Sequence, residues 1–140
     1  MKRIDVVYAF ITNERDDVLI VKNVGRNTWS LPGGAVENGE TLDEAVIRET
    51  YEEAGVTIQP EDILSINEAF MSFSQHHALF ITFRGRVVSG EVSIQYPEEI
   101  SEVKWAPRQE AEELLPHYPY GLQKMSNASA VYYNEGLKSV

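Results

Sequence analysis

Two β-branched, apolar runs open the chain, IDVVYAFITN and VLIVKN, parted by the polar stretch ERDD, and this pattern predicts a β-hairpin. WSLPGG follows, where Pro32 and two glycines close a short extended segment. From Thr41 the apolar period lengthens to that of a helix. Leu42, Ala45 and Val46 share one face, and Val46, Thr50 and Ala54 continue it on an adjoining strip. The helix is predicted to start near Thr41, with Gly39 just before it, and to stop at Gly55, a residue suited to the left-handed position that ends helices. Beyond it, ILSINEAF and ALFITFRGRVV read as strands, the second with Leu79, Ile81 and Phe83 on one face. EISEVKWAP reads as a further strand ended by Pro107, and RQEAEELL as a short helix. GLQKMSNASAVYYNEG reads as a terminal helix with Leu122, Met125 and Tyr132 in one stripe. This order of elements predicts an α/β fold, a mixed sheet with helices on both faces. The length of 140 residues and 43% apolar content suit a single domain, residues 1–140, with no repeat or linker.

The predicted helix has an unusual inner stripe. Leu42, Ala45 and Val46 begin it, but the next turns place Glu49 and Glu53 there, with Glu52 beside them. Glu49 and Glu53 are like charges four residues apart, and both lie toward the helix C-terminus, where the macrodipole disfavours anions. Arg48 is the only basic residue between Arg26 and Arg84, a gap that holds Glu37, Glu40, Asp43, Glu44, Glu49, Glu52 and Glu53. The plain alternative is a solvated acidic face on which Arg48 pairs with Glu44 and Glu52 at helical spacing. Acids on the inner stripe, with almost no local base, favour a pocket wall instead. Three carboxylates at this spacing converge on a volume that suits a hard divalent cation.

Composition narrows the chemistry. With no cysteine, the chain has no disulfide, thiolate nucleophile or cysteine-held zinc, so a metal has to be held by oxygen or imidazole, which points to magnesium, manganese or calcium. A formal charge of −10 argues against nucleic-acid binding, which draws on clustered Lys and Arg. No apolar run is as long as a membrane span, and MKRIDVVYAF is too short and too interrupted by Asp5 for a secretory signal, so the expectation is a cytoplasmic protein with no membrane partner. The pattern sets no oligomeric state.

Gly34, five residues, Glu40, seven residues and then RETYEEAGV resemble the signature of the Nudix hydrolases, G-x5-E-x7-R-E-U-x-E-E-x-G-U, with U a bulky aliphatic residue. Eight of the nine defined positions match, and Thr50 stands where an aliphatic residue is usual. WSLPGG before the signature and EVKWAP after it are also similar to the family. The resemblance implies an α/β/α sandwich and a metal-dependent enzyme, using Mg2+ or Mn2+, that hydrolyses a nucleoside diphosphate linked to another group. It implies that Glu49, Glu52 and Glu53 hold metal and supply the base, that Glu40 is a further acid of the site, and that Arg48 orients the catalytic glutamate. Gly33 matches the glycine whose carbonyl ligates metal. Glu49 is the leading candidate for the base and Glu53 the surest ligand. The alternative is a non-catalytic module that senses a nucleotide or supports a partner protein. Loss of signature acids would mark it, and here all are present.

Outside the signature, family members often use another acid before a late strand, a place that Glu98 or Glu99 fills. Lys22 and Arg26 precede WSLPGG within reach of a phosphate. His76 and His77, between two strands, are expected in a turn with no catalytic role. Phe70, Phe73 and Tyr118 are expected in the core rather than against a nucleobase. The short chain favours a small nucleotide, such as a nucleoside triphosphate, as substrate.

Overall fold

The structure, a computed structural model, describes residues 1–115 and 121–139. Its strands are β1 (Lys2–Ile11), β2 (Val18–Asn23), β3 (Thr28–Ser30), β4 (Gly33–Ala35), β5 (Thr57–Met71), β6 (His76–Ser89) and β7 (Ile100–Ala106), and its helices are α1 (Leu42–Ala54), α2 (Arg108–Leu114) and α3 (Gly121–Ser126). The alternation of side chains along β1 shows how the layers stack. Val7, Ala9 and Ile11 enter one apolar cluster with Ala45, Val46 and Ala54 of α1, while Phe10 enters a second with Ala111 of α2 and Leu122 and Met125 of α3. β2 divides in the same way, Leu19 and Val21 to the first cluster, Val18 and Ile20 to the second. Strands that are apolar on both faces need cover on both, and α1 opposite α2 and α3 supplies it. The result is an α/β/α sandwich.

Two sheets make up the central layer. The mixed sheet expected from the sequence has the order β4-β1-β6-β5, with β1 parallel to β6 and antiparallel to β4. A second, antiparallel sheet has the order β3-β2-β7. The predicted β1–β2 hairpin therefore exists only at its turn. Asn13 Oδ1 accepts the N–H groups of Arg15 and Asp17, both at 3.0 Å, and Thr12 bridges Val18, but the strands then part into different sheets. The glycines of WSLPGG do more than close a loop: Gly33 and Gly34 form β4 and pair with Tyr8 and Val7.

Three further expectations are corrected. His76 and His77 are not in a turn but begin β6, paired with Lys2 and Arg3 of β1. His77 lies 2.8 Å from Glu68 and stacks on Phe70 with ring centroids 4.3 Å apart. Phe70 and Phe73 are exposed rather than in the core, and Tyr118 lies outside the described residues. The terminal helix ends at Ser126, because Asn127 and Ser129 are weak helix formers and Ala130 instead exchanges two backbone hydrogen bonds with Ile63 of β5. Leu122 and Met125 thus share the α2 side, whereas Tyr132 packs edge-on to Phe83 at 5.1 Å on the α1 side. No helix among the described residues is long and apolar enough to cross a membrane.

Candidate active site

α1 is bounded as its sequence predicts. At its start the Glu44 carboxylate accepts the N–H and the hydroxyl of Thr41 at 2.9 and 2.7 Å. At its end Gly55 adopts φ 78°, a left-handed conformation that costs glycine little. Between these caps, Ala45, Val46, Thr50 and Ala54 are buried against the sheet, and Glu53, at 8% exposure, is buried with them. The acidic stripe is therefore an inner wall and not a solvated face.

Arg48 organises this wall. Its Nε and Nη2 donate to the two oxygens of Glu40 at 2.7 and 2.9 Å, its Nη1 donates to Glu49 at 2.9 Å and Glu52 at 3.2 Å, and Nη2 also reaches the Ala35 carbonyl at 3.2 Å. The fork geometry of guanidinium suits this bidentate pairing. Hydrogen bonds from Arg48 hold the Glu40 carboxyl below its ordinary pKa, and Glu40 in turn raises that of Arg48. Glu40 is thus placed as the anchor of Arg48, both oxygens engaged. Glu44 caps the helix instead of pairing with Arg48.

β4 presses on the wall from the other side. The Gly33 N–H donates to Glu53 at 3.0 Å, so Gly33 meets this acid through its nitrogen. A Cβ at Gly34 would stand 2.5 Å from the Glu49 carboxyl carbon, so a larger residue there would push the Glu49 carboxylate from this position. Burial pushes Glu53 up to about 8, against the Gly33 bond and reinforced by the charges of Glu49, Glu99 and Glu52. Burial also pushes Glu49 up to about 6, against the pull of Arg48. Two carboxylates thus sit where burial opposes their ionisation.

Whether this wall suits a metal is a matter of its donors. Among the described residues no three acidic or histidine side chains close into a ready ligand cluster, and Glu49 and Glu52 lean on Arg48. The donors are nonetheless hard oxygens, crowded enough to disfavour one another's ionisation. They fit a divalent cation, which would supply the charge that Glu53 lacks.

Beside the wall opens a cleft of about 440 Å³ lined by Tyr8, Arg26, Trp29, Glu53, Glu98 and Glu99 among others. It brings five predicted residues together: Arg26, Gly33, Glu53, Glu98 and Glu99. Lys22 is not among its lining; it pairs with Glu102 at 3.4 Å and lies 5.9 Å from the Trp29 ring centroid. Tyr8 and Asn23 line the cleft without having been singled out from the sequence. Tyr8 hides within an apolar strand, and only the alternation of β1 would have aimed it away from Val7. Its phenol is pushed up by burial and by the nearby Glu53 charge.

The sequence profile of the NUDIX domain matches residues 2–125. The chain belongs to the NUDIX family. It is 37% identical over 108 residues to the 8-oxo-dGDP phosphatase NUDT18 of Mus musculus, a match covering 74% of this chain and 32% of that protein. It is 30% identical over 107 residues to Nudix hydrolase 2 of Arabidopsis thaliana, covering 73% of this chain and 38% of that one. The matched segment thus spans about a third of the length of these curated relatives. Among solved structures, the MutT protein from Methanosarcina mazei Go1 superposes with a TM-score of 0.71 at 29% identity, covering 89% of this chain and 90% of that one. The NUDIX α1 of this chain and its β4 turn carry the family signature.

Proposed function

We propose that the chain hydrolyses the diphosphate linkage of a nucleoside diphosphate joined to another group, such as a nucleoside triphosphate, by direct attack of water and with Mg2+ or Mn2+. The observation that carries this reading is the meeting of the Glu49–Glu52–Glu53 wall with a cleft that also contains Arg26. An acidic wall repels a polyphosphate, so the two can share a site only through a cation. When bound, that cation supplies charge to the phosphate oxygens and lowers the pKa of water.

The side chains divide the remaining work. Glu53 and Glu52 hold the cation. Glu49 accepts the proton of the attacking water, and Arg48 fixes one of its oxygens at 2.9 Å. Glu40 keeps Arg48 in place. Gly33 steadies Glu53 through its N–H and offers its carbonyl as a further ligand. Arg26 binds a phosphate, and Tyr8 and Trp29 flank the nucleoside. No cysteine and no serine in a nucleophile-elbow motif offers a covalent route.

A panel of nucleoside triphosphates, nucleoside diphosphates, sugar-linked diphosphates and simple phosphate monoesters, followed by phosphorus NMR with Mg2+ or with chelator, tests the reading. The 8-oxo-dGDP phosphatase relatives put oxidised deoxyguanosine diphosphate in that panel. Cation-dependent scission of a bridging P–O–P oxygen is expected. Release of phosphate from simple monoesters alone, or turnover indifferent to chelator, would reject it.

A further inference from the structure

The acid wall is built from two separate pieces of chain, and one contact keeps them in register. α1 ends at Ala54, one residue beyond Glu53, and Gly55 caps it. The segment 90–99, between β6 and β7, starts against that end and finishes at the cleft. Gly90 lies so close to Gly55 that a Cβ on it would stand 2.8 Å from the Gly55 carbonyl oxygen. Three residues on, the Ser93 N–H donates to the Ala54 carbonyl at 2.9 Å, and its hydroxyl fills the space over Gly55 where a side chain would stand. Gln95 Nε2 donates to the Ser93 hydroxyl at 2.9 Å. α1 has no basic residue in its last turn, so this N–H is what satisfies the Ala54 carbonyl. At the other end, the N–H groups of Glu99 and Ile100 both donate to Tyr96 at 3.0 and 2.9 Å, and the Glu99 carbonyl accepts Val24 N–H at 2.9 Å. This turn aims Glu99 into the cleft that Glu53 and Gly33 line.

Both ends of the segment are pinned, and few residues separate Ser93 from the turn at Tyr96. We infer that Ser93 is a positioning residue: by capping the last carbonyl of α1 it sets the reach of the arm that delivers Glu99 to the wall formed by Glu49 and Glu53. What Glu99 does there rests on the hydrolase reading above; that Ser93 sets its position does not. The cap thereby ties the fourth carboxylate to the three on α1.

Ser93→Pro removes the N–H together with the hydroxyl and fixes φ, whereas Ser93→Ala removes only the hydroxyl and keeps the N–H, so the pair separates the loss of the backbone bond from the loss of the hydroxyl contacts. In the metal-free full chain, amide NMR shifts of Val24, Glu99 and Ile100 should move in Ser93→Pro together with those of residues 54–55, and should stay in place in Ser93→Ala. Changes confined to residues 54–55 and 92–95 would overturn the inference. Should Ser93→Pro not fold, Gly90→Ala disturbs the same joint from the loop side and is read in the same way. In hydrolysis, Ser93→Pro should lower kcat/KM by about tenfold or more, as supporting contacts at metal sites do. Adding it to Glu99→Gln should lower kcat/KM no further; losses that multiply would mean that Ser93 acts apart from Glu99. A wild-type chain that cleaves no diphosphate rejects the hydrolase reading instead, and the amide shifts still decide the role of Ser93.

Discussion

Glu53 is the residue on which the account turns, a carboxylate at 8% exposure with its pKa near 8. Glu53→Gln keeps its shape and removes its charge. Hydrolysis should fall by more than about 100-fold, beyond what loss of a supporting contact costs, while the metal-free protein at neutral pH should unfold at a higher denaturant midpoint, because folding no longer has to protonate a carboxylate that is ionised in the unfolded chain. Thr50 gives the converse case. Its Oγ1 is fully buried with no hydrogen-bond partner, at a position where the family signature has an aliphatic residue. Thr50→Val should stabilise by about 1 kcal/mol, the cost of an unmet hydroxyl, and leave kcat unchanged. Gly34→Ala should do the opposite, its Cβ displacing the Glu49 carboxylate and lowering kcat at constant fold, measured by circular dichroism beside the assay. The inward placing of Glu49, Glu52 and Glu53 was legible because helical spacing fixes side-chain direction within one element, whereas Gly33, Gly34, Glu40 and Arg48 were assigned to the site only by the resemblance to the family. Tyr8 and Asn23 were not legible, because the cleft that gathers them is assembled by contacts distant in sequence.

At the scale of elements, α1 carries a titration that its sequence implies. Glu53 and Glu49, held up to about 8 and about 6 from an ordinary 4.5, bind protons in the folded state that the unfolded chain has already released. Stability of the metal-free protein should therefore fall as pH rises from about 4.5 toward 8. Urea midpoints at pH 5 and pH 8 check this, and Glu53→Gln should flatten the slope. The bounds of α1 were readable from Thr41 and Gly55 because capping is local. The fate of β1 and β2 was not, since the polar turn between them is the same whether the strands pair or separate into two sheets. The tail misled for a related reason. Its apolar residues serve opposite sides of the sandwich, and Tyr132, donating to Asp43 at 3.2 Å, holds the start of α1 and not a helix face.

For the whole molecule, the fold brings an acidic helix, a glycine strand and the Glu99 turn around one cleft in a chain of net charge −10. Mg2+ or Mn2+ binding only to the folded state should raise Tm in proportion to the logarithm of its concentration. A Glu52→Gln, Glu53→Gln variant should show little of that rise, and an equal rise would move the metal elsewhere. The central claim, direct attack of water on phosphorus, is tested most directly by a single turnover in heavy-oxygen water with the substrate that the panel identifies. The account predicts one labelled oxygen in one product phosphate and no labelled or phosphorylated protein. Unlabelled products after the first turnover, or a trapped phosphoenzyme, would contradict it.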